Sequence, residues 1–499
     1  MIDLHPIGCD LHPPTLRTQP AIAMPIHLTL GVILASALAS LGICACGPPA
    51  LPRPLSPAPD PTAGPLAPAN FSDINADPRI VEVNLEARVA EWEIAPGRRI
   101  RAWTYNGSVP GPVLRANVGD TVIVHFTNRL DEPTTIHWHG LRVPADMDGS
   151  PHSQSPVPPG GAFDYRFTVP DAGTFWYHPH ANEQRQMEMG LYGAVIVRGD
   201  DEPVSDVDSL VVLDDLTLGP DGQIAPVGDV LEQHNGRQGS ALVVNGRLNA
   251  DWQIRAGQRQ RWRIINAGSA RFYRLSLEGH RFRVIGSDGG SIGEPRVMDE
   301  LFLVPGDRLD VIVDGMAAPG SIAALRNLPY DRGHGAGISV PEDVMIVRYT
   351  NEPALVSLPL PARRSGPERL PQGSSSVREI RFHERIDRVN GRVVFMINGR
   401  SYPDVPDIET RVGATETWDL INESEMEHPF HLHGFFFQVL SRNGIAESVS
   451  TWEDTIQLRG LERVRIVFRI DGRPGAWMYH CHILEHVDNG MMATMHVAP

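Results

Sequence analysis

The chain has 499 residues, which is too many for one ordinary hydrophobic core and predicts two to four domains. Glycine and proline are abundant, at 47 and 44 residues, and this composition favours short strands and turns over long helices. The net charge is −16 and the basic residues are scattered, which argues against nucleic acid as a partner.

The N-terminal part of the chain has features of an exported protein. Residues 26–46 form an apolar run that ends in small residues and cysteine, like the hydrophobic part of a secretory signal. We therefore assign residues 1–46 to a signal or lipoprotein-type export segment and expect a periplasmic or extracellular protein. Cys46 is a candidate lipid-attachment residue that would anchor the chain to a membrane. Residues 47–75 are rich in proline and alanine and predict a disordered tether.

Three copies of one sequence unit follow the tether. Each copy has an Asn-Gly pair and then a strand-like run that ends in asparagine, and that asparagine lies nine positions after a glycine. The flanking segments alternate apolar and polar residues, as half-buried strands do, and Asn-Gly supplies a turn with positive φ. The Asn-Gly pairs begin at Asn106, Asn245 and Asn398, and the glycine and asparagine positions are Gly119 and Asn128, Gly257 and Asn266, and Gly413 and Asn422.

The repeat predicts an all-β chain of three tandem β-sandwich domains. We place domain one at residues 76–200, domain two at 201–352 and domain three at 377–499. Residues 353–376 are rich in proline and serine and predict a linker between domains two and three.

Ten of the 20 histidines lie in four short groups. A single His-x-His pair is weak evidence of a metal site, but an ordinary core needs no such set of four. Residues i and i+2 of a strand point to the same face, so each pair presents two imidazoles to one side. The eight paired histidines predict a compact metal cluster, and eight imidazoles suit three copper ions. The pairs are His137 and His139, His178 and His180, His431 and His433, and His480 and His482.

Cys481 lies between two of these histidines and therefore points to the opposite face of its strand. It must serve a second site, for which His428 and His486 are the histidines that remain in the four groups. Met491 follows ten residues after the cysteine and supplies a thioether. Two histidines, one cysteine and a weak axial methionine are typical of a blue-copper electron-transfer site.

The four groups resemble the copper-binding motifs of the multicopper oxidases, the family of laccases, bacterial copper-efflux oxidases and spore-coat oxidases. The resemblance covers all three domains and implies cupredoxin-like Greek-key domains with four copper ions: one type 1, one type 2 and a binuclear type 3 pair. It implies the type 1 ligands His428, Cys481, His486 and Met491, the type 2 ligands His137 and His431, and the type 3 ligands His139, His178 and His482 for one ion and His180, His433 and His480 for the other.

The resemblance also implies a reaction in which one-electron oxidations of a phenol, an aromatic amine or a metal ion are coupled to the four-electron reduction of O₂ to water. By this resemblance, the electron enters through a solvent-exposed edge of His428 or His486 and passes through Cys481 to His480 and His482. Domain two then serves as a spacer that sets the docking of the other domains, and we expect a monomer.

Reduction of O₂ consumes protons, so an acid is expected near the cluster. Asp148 lies in the loop after the first histidine pair and resembles the family's proton-handling aspartate. Close bacterial relatives place a second acid directly after the histidine that matches His486, where this chain has Val487. Glu485 and Asp488 are the candidate substitutes for that acid.

Two other functions remain open at this point. A copper nitrite reductase has a type 1 and a type 2 copper, but its subunit normally has two domains and lacks the full set of eight cluster histidines. A non-catalytic periplasmic copper-binding or electron-transfer protein needs only the type 1 site. Neither function requires four His-x-His pairs, so the sequence favours the oxidase.

Overall fold

The structure is a computed structural model, and it describes residues 66–226, 228–333, 340–359, 364, 366–371, 377–387, 391–448 and 450–499. The predicted export segment, with Cys46, lies outside the described residues. Within the described ranges, no helix is long and apolar enough to cross a membrane.

The described residues form six β-sheets, two in each third of the chain, with only short helices between strands. Side-chain burial alternates along strands such as Thr121–Asn128: every second side chain faces a core, and the others face outward. This alternation explains why these segments form strands with one buried face. The prediction of an all-β chain of three tandem sandwiches is confirmed. The domain boundaries themselves stay predictions.

The strands of domain one are β1 (Ile80–Ala95), β2 (Arg98–Tyr105), β3 (Gly111–Asn117), β4 (Thr121–Asn128), β5 (His137–His139), β6 (Ala162–Thr168), β7 (Gly173–His178) and β8 (Gly193–Arg198). They form two sheets, ordered β2-β1-β4-β6 and β3-β8-β7-β5. A 3-10 helix (Ala145–Met147) and α1 (Glu183–Glu188) lie in the connections. The short edge strand β5 pairs with β7 and sets His137 opposite His178.

The strands of domain two are β9 (Val207–Leu216), β10 (Ala241–Val244), β11 (Arg247–Leu248), β12 (Ala250–Ile254), β13 (Arg259–Asn266), β14 (Tyr273–Leu277), β15 (Phe282–Ser287), β16 (Gly290–Met298), β17 (Leu301–Leu303), β18 (Arg308–Asp314), β19 (Ile322–Asn327) and β20 (Glu342–Tyr349). The sheet orders are β11-β10-β9-β13-β18-β15-β16 and β12-β20-β19-β14-β17. Helix α2 (Val230–Asn235) is capped by the Asp229 side chain, which accepts hydrogen bonds from two backbone amides.

The strands of domain three are β21 (Arg378–Asp387), β22 (Arg392–Ile397), β23 (Ile408–Arg411), β24 (Thr415–Asn422), β25 (His428–Leu432), β26 (Phe437–Arg442), β27 (Ile445–Ala446), β28 (Thr455–Leu458), β29 (Arg463–Arg469), β30 (Gly475–Cys481) and β31 (Met492–Ala498). The sheet orders are β22-β21-β24-β29-β26-β27 and β23-β31-β30-β25-β28. Helix α3 (Leu484–Asp488) follows β30.

The three sequence repeats occupy equivalent places in the three sandwiches. The asparagines of the three Asn-Gly pairs all have positive φ, between 49° and 53°. The second asparagine of each repeat is the last residue of β4, β13 or β24. The turn chemistry and the strand ends were therefore both readable from local sequence.

The prediction of a disordered tether is wrong for residues 66–75. Asn70 forms an isolated bridge with Val113, and the amide of Phe71 donates to the Val113 carbonyl at 3.1 Å. Phe71 packs against the core of domain one, and Leu66 packs against that of domain two. These apolar side chains explain why the segment is held against the domains, because burying them removes apolar surface from water.

Candidate metal centre

Eight histidines from domains one and three converge in one buried region. Their ring nitrogens fall into three groups, and within each group one nitrogen from every histidine lies within 4.8 Å of the others. Each group takes histidines from both domains, so the region exists only where the two domains dock. The groups are His137, His139 and His431; His139, His178 and His482; and His180, His433 and His480.

Strand geometry accounts for this convergence. In β5, the side chain of Trp138 enters the core of domain one, so His137 and His139 point away from that core. In domain three, β25 and β30 pair with His431 opposite His480. The prediction that each His-x-His pair presents both imidazoles to one side agrees with this arrangement.

One ring nitrogen each of His137 and His431 is buried and lacks a hydrogen-bond partner among the described residues. The Nδ1 atom of His137 donates to the Asp148 carbonyl at 2.9 Å, and that of His431 donates to the Asp454 carbonyl at 3.0 Å. Neither Nε2 atom has a hydrogen-bond partner in the described part of the chain. An unpaired buried polar atom costs about 1–3 kcal/mol, which a metal ion at this position would offset. Both histidines therefore fit the predicted type 2 site.

The group of His180, His433 and His480 brings three Nε2 atoms together. The Nε2 atom of His433 lies 3.2 Å from that of His180 and 3.0 Å from that of His480. Two fully buried carboxylates hold the outer sides of these rings. Glu183 is 2.9 Å from Nδ1 of His180, and Asp148 is 2.7 Å from Nδ1 of His433.

The group of His139, His178 and His482 is held differently. The Nδ1 atom of His139 lies 3.4 Å from Nε2 of His178. The Nε2 atom of His139 lies 3.2 Å from the Asp454 carboxylate. Arg308 of domain two binds that carboxylate through two hydrogen bonds of 2.6 and 2.5 Å. Burial raises the pKa of Asp454, but the Arg308 guanidinium outweighs it and holds the pKa well below its ordinary value.

The protonation of the cluster histidines also suits metal binding. Burial, followed by repulsion from neighbouring imidazoles, lowers the pKa of five of them well below the ordinary value. Neutral imidazole is the form that binds a metal ion. The five are His139, His178, His433, His480 and His482.

A second, smaller group lies in the core of domain three. The Sγ atom of Cys481 is 3.6 Å from Nδ1 of both His428 and His486, whose Nδ1 atoms are 3.2 Å apart. Burial raises the pKa of the Cys481 thiol well above its ordinary value, so a metal ion must displace a tightly held proton there. Met491 is fully buried in the same core, and its carbonyl accepts from the Cys481 amide at 3.1 Å. Its role as an axial ligand stays a prediction.

The expectation of a solvent-exposed edge on a type 1 histidine is wrong. His428 and His486 are both fully buried. The Ser424 hydroxyl lies 2.9 Å from Nε2 of His428, and Nε2 of His486 donates to the His234 carbonyl in α2 at 2.9 Å. The contact on His486 comes from domain two, so the local sequence around that histidine contains no sign of it, whereas Ser424 lies four residues before His428 in domain three.

Among the described residues, neither Glu485 nor Asp488 forms a hydrogen bond or an ion pair with a cluster histidine. Asp488 accepts from the amides of Glu183 and Gln184 at 3.3 and 2.9 Å and so caps α1. Burial raises the pKa of Glu485 to about 7, and its nearest charged neighbours are Glu188 and Arg237. Among the described residues, Glu183 is the acid beside Val487 that reaches a cluster histidine.

Sequence reasoning therefore missed several residues that hold the site. They lie outside the histidine motifs, and acidic, arginine and hydroxyl side chains are too common for their spacing to be a signal. Only their position in the folded chain distinguishes them. They are Glu183, Arg308, Ser424, Asp454 and Thr455.

Comparison with known proteins agrees with this chemistry. Three family models described as multicopper oxidase match residues 86–202, 168–325 and 375–499. The multicopper oxidase MmcO of Mycobacterium tuberculosis is 30% identical, over 83% of this chain and 86% of the relative. A laccase of Bacillus subtilis is 29% identical, over 80% of this chain and 90% of the relative.

A solved structure gives the same result for the fold. A multicopper oxidase from Campylobacter jejuni, described as a metallo-oxidase, has a TM-score of 0.78 and 32% identity. The match covers 87% of this chain and 94% of that one. The chain therefore belongs to the multicopper oxidase family and is a laccase-like oxidoreductase that uses type 1, type 2 and type 3 copper to couple oxidation of a reductant to reduction of O₂.

Proposed function

We propose that the four copper ions are held by the residues that the sequence motifs suggest. The observation that carries this proposal is the grouping of the ring nitrogens and of Sγ within 4.8 Å of one another. Two groups match the expected type 3 sets, one contains the two histidines and the cysteine of the type 1 set, and one contains both type 2 histidines together with His139. The expected type 1 ligands are His428, Cys481, His486 and Met491, the type 2 ligands are His137 and His431, and the type 3 ligands are His139, His178 and His482, and His180, His433 and His480.

Bound copper supplies the one-electron redox chemistry, and the protein supplies the geometry around it. Cys481 belongs to the type 1 group, while its neighbours His480 and His482 belong to the two type 3 groups. The polypeptide itself thus joins the two centres by covalent bonds. Complete burial of these three side chains excludes water from the link.

Asp148 is the residue that we propose for handling protons. It is fully buried and contacts one expected type 2 ligand and one expected type 3 ligand. Its carbonyl accepts from His137, and its carboxylate contacts His433. Burial opposes its ionisation, but these two histidines hold the pKa of Asp148 well below the ordinary value. The support for a proton-handling role is therefore the position of its carboxylate, which lies beside histidines of both expected site types.

We propose that the reductant gives its electron at the outer face of α2. The inner face of this helix covers His486 through the His234 carbonyl. Its outer face carries Val230 and Leu231, which are 46% and 63% exposed. An apolar surface of this kind supports a phenol or an aromatic amine as reductant, with a metal ion as the alternative class.

The location of the enzyme is also a proposal. The apolar run at residues 26–46 supports export to the periplasm or the outside of the cell, with Cys46 as a candidate membrane anchor. We expect the enzyme to act as a monomer, because each copper group is completed within one chain.

Copper analysis combined with O₂ uptake tests this function. We expect four copper ions per chain and O₂ uptake with at least one member of a panel of phenols, aromatic amines, Cu(I), Fe(II) and Mn(II). Two copper ions per chain with nitrite reduction would indicate a nitrite reductase. Copper binding without O₂ uptake for any reductant would indicate an electron carrier.

A further inference from the structure

The two expected type 3 sites differ in the groups that hold the outer sides of their imidazoles. We name the site of His180, His433 and His480 the carboxylate-backed site. All three of its rings have an acceptor at Nδ1. The acceptors are the carboxylates of Glu183 and Asp148 at 2.9 and 2.7 Å, and the Cys481 carbonyl at 2.8 Å.

We name the site of His139, His178 and His482 the arginine-backed site. His139 donates to Asp454, whose charge is matched by the bidentate Arg308. His178 donates to the Pro179 carbonyl at 2.8 Å. Neither ring nitrogen of the fully buried His482 has a hydrogen-bond partner among the described residues.

The surroundings of the two sites therefore carry different charge. Among the described residues, neither Glu183 nor Asp148 forms an ion pair with an arginine, so the carboxylate-backed site keeps two negative charges next to its ligands. At the arginine-backed site, the Asp454 carboxylate that contacts His139 is paired with Arg308, which also forms an ion pair with Asp288. The guanidinium therefore offsets part of the negative charge there, and no such cation contacts the carboxylates of the other site among the described residues. Both sites are fully buried, so these charges are poorly screened by water.

A histidine that donates its outer N–H to a carboxylate becomes a more basic metal ligand, and its ring is fixed in one tautomer. Uncompensated negative charge nearby also favours a dication over an empty site. Both effects act on two ligands of the carboxylate-backed site. At the arginine-backed site, only one ligand, His139, contacts a carboxylate among the described residues. Arg308 binds that carboxylate and so weakens its effect on His139.

We propose that the two type 3 sites are unequal and that Glu183 is the positioning residue that makes them so. The carboxylate-backed site retains copper more tightly, and the arginine-backed site loses it first. This inference rests on the proposed ligand sets. Glu183 does not touch the metal; it acts through His180, as Asp148 acts through His433.

Three features make Glu183 an effective positioning residue, and the first two hold for Asp148 as well. Glu183 is 2% exposed, so its charge acts through protein rather than through water. The second carboxylate oxygen of Glu183, Oε2, is buried without a hydrogen-bond partner in the described ranges, so no other donor there offsets the carboxylate charge. Asp488 of domain three caps α1 at Glu183 and fixes where that carboxylate lies.

Copper occupancy measured site by site tests the proposal. Crystals of the copper-loaded enzyme are exposed to increasing chelator, and anomalous scattering from copper gives the occupancy of each position. In the wild type, we expect the arginine-backed site to empty first. Glu183→Gln keeps an acceptor for His180 but removes the charge, so we expect about 10-fold weaker copper binding at the carboxylate-backed site. Glu183→Ala removes both, and about 100-fold is expected.

Glu188→Gln is the matched control, because Glu188 lies on the same helix and is 5% exposed, but contacts Ser269 and Thr217 instead of a histidine. We expect it to lose copper in the wild-type order. Retention of the blue type 1 absorption shows that each variant is folded. Equal occupancies in the wild type, or copper binding at the carboxylate-backed site that is not weakened in Glu183→Gln, would overturn the proposal. Copper that binds away from these histidines would instead contradict the proposed ligand sets.

Discussion

The position of Cys481 in its strand decides which group of metal donors its side chain joins. Its two neighbours in the chain join the cluster groups, while Cys481 itself lies 3.6 Å from His428 and His486 in another core. The alternation of side chains along β30 produces this division, and the sequence predicted it. The burial of the type 1 histidines was not predicted. Helix α2 of another domain covers His486, and Ser424 contacts His428.

Replacement of the thiolate is the direct test of the type 1 assignment. We expect Cys481→Ser to lose the type 1 copper and the blue absorption, because a serine hydroxyl lacks the soft thiolate that copper needs. The cluster should keep its copper, since none of its ligands is changed. Visible absorption and copper analysis check this result. Blue colour that survives the substitution would show that the type 1 site lies elsewhere.

Asp148 has a separate prediction. We expect Asp148→Asn to slow reoxidation of the reduced enzyme by O₂ by about 100-fold, because an amide cannot accept a proton. Reduction of the type 1 copper by a reductant should not change, because the histidines that Asp148 contacts in the described ranges, His137 and His433, are not expected type 1 ligands. Stopped-flow measurement of the two half-reactions separates these effects. Unchanged reoxidation at full copper content would remove the proton role.

At the scale of the elements, the repeated asparagine ends equivalent strands in the same way. Asn128, Asn266 and Asn422 each accept a hydrogen bond at Oδ1 from the amide two residues later. The side-chain amide of each also donates to two or more backbone carbonyls of the neighbouring loops. One buried side chain thus connects a strand end to two loops, which explains why the repeat contains asparagine at this place.

Asn266 offers the cleanest test, because domain two has no expected copper ligand. We expect Asn266→Ala to lower the free energy of unfolding by roughly 2–4 kcal/mol, because it leaves two carbonyls and one amide without partners. Denaturant unfolding followed by tryptophan fluorescence measures it. Asn351→Ala, at an exposed position, is the control and should change stability by less than about 0.5 kcal/mol. Similar effects of both substitutions would contradict this account.

A cross-strand ion pair predicts a dependence of stability on pH. His125 of β4 lies 2.8 Å from both Glu82 of β1 and Asp164 of β6. The hydrogen bond to Glu82, and then that to Asp164, raises the pKa of His125. The resulting stability is fully present below the unfolded-state pKa of about 6.5 and is lost as pH rises through the folded-state pKa.

We therefore expect His125→Gln to be destabilised at about pH 5.5 and to approach the wild type at about pH 9. The difference should stay below about 1 kcal/mol, because water screens this partly exposed pair. Thermal unfolding at the two pH values measures the change. A difference that grows with pH would contradict the sign.

At the scale of the whole molecule, domain two does more than separate its neighbours. Arg308 donates to the Thr174 carbonyl of domain one at 3.3 Å and to Asp454 of domain three. Asp454 in turn contacts His139 of domain one. A single buried side chain of the spacer therefore contacts both domains that contribute the cluster histidines, which supports the prediction that domain two sets their docking.

Copper should add to this docking, since each cluster group joins domains one and three. We expect removal of copper by a chelator to lower the unfolding temperature and to speed proteolysis between the domains. Saturation at about 1,000 times the dissociation constant contributes about 4 kcal/mol to stability. Differential scanning calorimetry with and without copper measures the effect. An unfolding temperature that does not depend on copper would show that the domains dock fully without it.

The sequence by itself determined the all-β fold, the three repeats and the histidines and cysteine that come together in the two donor clusters. It could do so because side-chain alternation, Asn-Gly turns and the Cys-His motifs are local properties of the backbone. Only the tertiary structure decided that His486 is covered, that Glu183 holds His180 and that Arg308 joins the three domains. These contacts link residues far apart in the chain, and they depend on how three sandwiches pack, which no local pattern encodes.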